Sequence, residues 1–149
     1  MSTSASPAPA PKTPLHLWII AVLAVLWNAV GAFDYIATQL RLEGHMSQFS
    51  QEQLDYFYAF PAWAVAAWAT AIWFAVFGSL ALLLRRRLAY PLFTISLAAM
   101  IVSTVHSFAL TNGAEMMGSG GVAFSGVIAM ISILLVWYSK AMVTRGVLR

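Results

Sequence analysis

The sequence predicts an all-α integral membrane protein, an antiparallel bundle of four spanning helices with one short amphipathic helix on its outer side. Three observations predict it. The chain is 61% hydrophobic and only 9% charged, where a soluble domain carries about 25% charged residues. Four apolar runs, at about residues 15–38, 61–84, 88–110 and 122–139, each approach the length needed to cross a hydrocarbon core. The basic residues sit at the ends of those runs, as topology signals do.

Residues 1–14 are Ser, Thr, Ala and Pro with Lys12 as their one charge. Such a tail has no core to bury and stays extended. Pro7, Pro9 and Pro11 alternate in it and favour a polyproline-like path. A docking peptide and a solvated leader both fit. The first span follows. A cleaved signal peptide is its rival reading, because residues 29–32 are small, but the run is longer than the roughly 7–15 apolar residues of a signal.

Residues 39–60 form the polar connection. Ser50 and Gln53 match a capping box, and Leu54, Phe57, Tyr58 and Pro61 then fall on one helical face. This predicts a short amphipathic helix at the membrane surface, either a lid or docking surface or an ordinary connector. In the second span Ala67, Ala71, Ala75 and Ser79 recur every four residues, a strip that lets membrane helices approach closely. The third span carries a weakly polar stripe that includes Ser96, Ser103 and His106. Residues 111–121 are expected to be a flexible turn before the fourth span.

With four spans, Lys12, Arg85, Arg86, Arg87, Lys140, Arg145 and Arg149 share one side, leaving only Arg41 on the other. The positive-inside rule then places both termini in the cytoplasm, and a bacterial inner membrane is the expected location. Asp34, Glu43, Glu52, Asp55 and Glu115 fall at or beyond the outer face.

Residues 27–39 organise the chain. Asn28, Gly31, Tyr35 and Thr38 share a helical face, with Asp34 one position away. An amide inside the bilayer is costly without a partner, so Asn28 should face the bundle, and Gly31 should admit the helix that supplies one. Asp34 and His106 reach similar depth, and an Asp34–His106 hydrogen bond is expected. That pair would be either an ionisable site in an outward cavity or a staple at the outer rim.

The totals also exclude much. The chain has no cysteine, hence no disulfide, iron–sulfur cluster, thiolate zinc site or cysteine nucleophile. No basic stripe points to nucleic acid. His16 sits at the opposite interface and His45 in the outer loop, so no second histidine faces His106 at its depth and bis-histidine haem is not expected. His45, Glu43 and Asp34 have no recognised metal-ligand spacing. There is no phosphate-cradling loop and no catalytic set, so no enzyme, metal or cofactor is expected.

The motifs W-N-A-V-G-A-F-D-Y at residues 27–35, T-Q at 38–39, F-P-A-W at 60–63 and G-S-L-A-L-L-L-R-R-R at 78–87 resemble a family of small bacterial four-span membrane proteins, some labelled "sugar transporter". The resemblance implies the four-span fold and lends some weight to transport. Two functions are therefore expected in order. The first is a non-enzymatic accessory or structural membrane component, embedded in the lipid bilayer and packing through the Ala67–Ser79 strip against itself or another membrane protein. The second is an oligomeric small-solute transporter or channel subunit with Asn28, Asp34 and His106 along its path.

Overall fold

The structure is a computed structural model that describes residues 11–149, so the first ten residues of the expected tail lie outside the described residues. The described residues form α1 (Leu15–Gln39), α2 (Glu43–Met46), α3 (Gln51–Tyr58), α4 (Ala62–Leu83), α5 (Ala89–Val105), a π-helical turn (His106–Leu110) and α6 (Gly113–Thr144). There is no strand among them. Four helices, α1, α4, α5 with its π turn, and α6, are long and apolar enough to cross a membrane.

Local chemistry sets the boundaries. Pro14 and Pro61 hold extended backbone just ahead of α1 and α4. The expected capping box forms at α3: Gln53 N–H donates to Ser50 Oγ at 3.2 Å, and Ser50 N–H donates to Gln53 Oε1 at 3.0 Å. Three helices end in the same way. After α1, α4 and α6 a left-handed residue closes the last turn with paired backbone bonds, such as Leu42 N–H to Ala37 C=O, Arg86 N–H to Ala81 C=O and Val147 N–H to Met142 C=O. Glycine is the usual occupant of that position, and Gly146 fills it after α6. After α1 and α4 it is Arg41 and Arg85, at φ 53° and 57°.

α4 is the hub, packing against α5 most extensively and against α1, while α5 packs on α6. The main hydrophobic core lies at the arginine end. There Leu17, Ala21 and Ala24 of α1 meet Leu82 of α4, Phe93 of α5, and Leu135 and Met142 of α6, with Val147 and Leu148 folded back beneath them. Gly78 creates a close approach between α4 and α5, because a Cβ there would stand 2.8 Å from the ring of buried Phe93. Gly31 does not have this role; a Cβ on it would meet only Ile72 Cδ1, at 3.5 Å.

The expected flexible turn over residues 111–121 is mostly helix. α6 begins at Gly113, and the break falls at Gly118 alone, with φ 65° and ψ −179°. That conformation is open essentially only to glycine. Glu115 in the first turn complements the helix dipole, which helps a glycine-rich segment enter a helix.

Candidate functional site

Three polar clusters lie along the spans. The first joins α1 to α4. Asn28 Nδ2 donates to Ser79 Oγ at 2.7 Å, and Ser79 Oγ–H donates to the Ala75 carbonyl at 2.8 Å. The expected partner for Asn28 therefore exists, and it is the last member of the small-residue strip. Ala71 is buried as well, and its carbonyl accepts from Ser96 Oγ of α5 at 2.6 Å. The strip's Ala71 and Ser79 thus join the chain's own helices and are not open to an outside partner. Ala67 and Ala75 are half-buried on the same helix.

The second cluster replaces the expected Asp34–His106 bond, which does not form. Asp34 Oδ1 accepts from His45 Nε2 at 2.8 Å. Gln48 Nε2 lies 3.2 Å from His45 Nδ1 and donates to it, which places the ring proton on Nε2. Phe33 and Phe49 stand edge-on to the same imidazole, with centroids at 5.6 and 5.9 Å. The four-residue helix α2 turns the chain back over the end of α1 and brings His45 to Asp34. α4 lies between α1 and α5, which keeps His106 away. Asp34 remains about half exposed, at 48% for its side chain. Glu43 does not join the pair, and among the described residues no three His, Asp or Glu side chains converge as a metal site.

The third cluster surrounds His106 at the start of the π turn. The imidazole is buried, at 4% exposure. It packs against Phe60 at 4.6 Å and Trp63 at 5.1 Å between centroids. Its Nδ1 is buried with no hydrogen-bond partner. Thr111 Oγ1 lies 3.1 Å from the His106 carbonyl and 3.0 Å from that of Ser107, so its hydroxyl stops the turn by donating to them. Tyr56 O–H then donates to Thr111 Oγ1 at 3.0 Å, tying α3 to this end of α5. Gly113 completes the corner, since a Cβ on it would collide with the Ser107 carbonyl and the Tyr56 hydroxyl. π turns inside α-helices are found frequently at functional sites.

The remaining expected residues are dispersed. Tyr35 stacks edge-on against Trp68 at 5.1 Å. Thr38 is buried near the end of α1. Ser103 is half-buried on α5; its carbonyl accepts the His106 backbone N–H, but its side chain joins none of these clusters. Sequence reasoning missed the tie between His16 Nδ1 and Tyr138 O–H, 2.6 Å apart, which fastens the start of α1 to α6.

Asn28, Asp34 and His106 therefore belong to three separate clusters. Neither a family model, nor a curated protein, nor a solved structure matches the chain.

Proposed function

We propose that this protein is a non-enzymatic accessory component of a membrane, an antiparallel four-span bundle that presents α6 to another membrane helix. The short link between α4 and α5 makes those two spans antiparallel, and α3 lies on the acidic, outer side. The charge asymmetry supports an arginine end in the cytoplasm, and the resemblance to small bacterial four-span proteins supports a bacterial inner membrane.

The observation that carries the reading is the state of α6. Only 6% of its most apolar stretch is buried within the chain, against 17–22% for the other three spans. It also flanks an open, largely apolar groove of about 440 Å³ with α5, lined by Leu97, Met100, Phe108, Ser125, Gly126 and Ala129 among others. Small residues on an exposed membrane helix permit close packing with a neighbour, because helix association in lipid relies on contact rather than on the hydrophobic effect. The transporter reading is the weaker one, since its polar residues are spent on one another or kept apart.

The test is the mass and composition of the complex extracted from its native membrane in mild detergent. A stable complex with a second copy or a foreign membrane protein is expected. Gly126→Leu should dissolve it while leaving the fold intact, because a Cβ at Gly126 meets nothing within 4 Å. A lone monomer, or a complex indifferent to Gly126→Leu, would overturn the reading.

A further inference from the structure

Arg41 and Arg85 occupy equivalent positions, each the left-handed residue that closes a spanning helix. A side chain there is disfavoured relative to glycine, because its Cβ crowds the following carbonyl. Such strain persists where something else fixes the residue. For Arg41 the reason is visible: its guanidinium lies over the Tyr58 ring, 4.1 Å from the centroid. For Arg85 no such partner exists among the described residues. Its Nε is buried and makes no hydrogen bond.

The surroundings of Arg85 are hydrogen-bonded and rich in arginine. Arg149 N–H donates to the Arg85 carbonyl at 2.8 Å, and Arg87 N–H donates to the Arg149 carbonyl at 3.1 Å. Arg87 Nε donates to the Leu148 carbonyl at 3.3 Å. This frame leaves a pocket of about 160 Å³ lined by Leu84, Arg85, Arg86 and Arg149. Among the described residues no Asp or Glu carboxylate lies within ion-pair distance of these arginines. Leu84 is exposed beside them and adds an apolar rim.

We propose that the loop joining α4 to α5 is a binding site for a phosphate group, with Arg85 and Arg86 as its principal donors. Guanidinium groups match phosphate oxygens through paired N–H donors. A frame that already holds the backbone need not be ordered on binding. The apolar rim and the position at the end of two spans favour the phosphate of an anionic lipid headgroup, and basic pockets between spanning helices bind such headgroups. Free phosphate presents the same chemistry.

The test uses the full chain in an uncharged maltoside detergent, with retained lipid counted by native mass spectrometry. It is titrated separately with phosphatidylglycerol, phosphatidylcholine and inorganic phosphate. Wild type should retain phosphatidylglycerol in preference to phosphatidylcholine. Arg85→Gly and Arg86→Gln should each weaken that retention by about fivefold, the usual effect of one basic residue at a lipid surface. Lys140→Gln, at the same end but outside the pocket, should change it less than twofold. Arg85→Gly suits its backbone position, so a loss of binding will not reflect unfolding, and unchanged helicity by circular dichroism checks this. Competition by inorganic phosphate at equal concentration would support the site and assign it to free phosphate. Equal retention of the two lipids, or equal losses in Lys140→Gln and the two arginine variants, would overturn the proposal.

Discussion

Asn28 and Ser79 face each other across α1 and α4 at 2.7 Å. Such bonds between membrane helices average about 0.6 kcal/mol and reach about 1.7 kcal/mol. A double-mutant cycle with Asn28→Ala and Ser79→Ala, read from unfolding in detergent, should give a coupling in that range; additive effects would show the contact to be idle. Gly78 predicts more. Its substitution by Ala drives a methyl into Phe93, which is buried and cannot swing aside, so a loss of about 1–3 kcal/mol is expected. Gly31→Ala meets only ordinary contact and should be neutral or stabilising by up to about 1 kcal/mol. The same unfolding measurement checks both. The sequence carried one half of this contrast. That Asn28 needs a partner follows from the cost of a bare amide in lipid. Which glycine makes the close approach depends on what stands opposite, and Phe93 comes from another helix.

At the scale of elements, α2 hangs on the end of α1 through Asp34 and His45. The carboxylate is 48% exposed, so the bond contributes no more than about 1 kcal/mol. Asp34→Ala should therefore leave global stability nearly unchanged while hydrogen exchange rises locally across Glu43–Met46. Unchanged exchange there would show that the aromatic contacts of His45 alone hold α2. This element was not legible beforehand. Four residues carry no helical period, and matching Asp34 to His106 by depth ignored that α4 separates their helices. The capping box of α3 was legible, because it is a local pattern of Ser50 and Gln53. Gly118 marks the opposite failure: its glycine-rich neighbourhood signals a flexible turn, yet a single backbone kink suffices. Gly118→Ala forces a methyl into φ 65°, ψ −179°, and should cost about 1–3 kcal/mol in thermal unfolding.

For the whole molecule, the four helices long and apolar enough to cross a membrane were legible because each is a long uncharged run with charges near its ends. Their order of packing was not, because α4 as the hub rests on side-chain fits such as Gly78 on Phe93. The three polar clusters were only half legible for the same reason: residue type and depth can be read along a chain, but neighbours cannot. On the proposed topology the arginine end and the acidic end lie on opposite sides of a membrane. The absence of cysteine allows a direct test. Arg86→Cys, Gln48→Cys and Glu115→Cys, each alone in intact cells, are treated with a membrane-impermeant thiol reagent. Labelling is expected at positions 48 and 115, with protection at position 86 until the cells are opened. Labelling of Arg86→Cys in intact cells, or protection of either of the others, would contradict that topology.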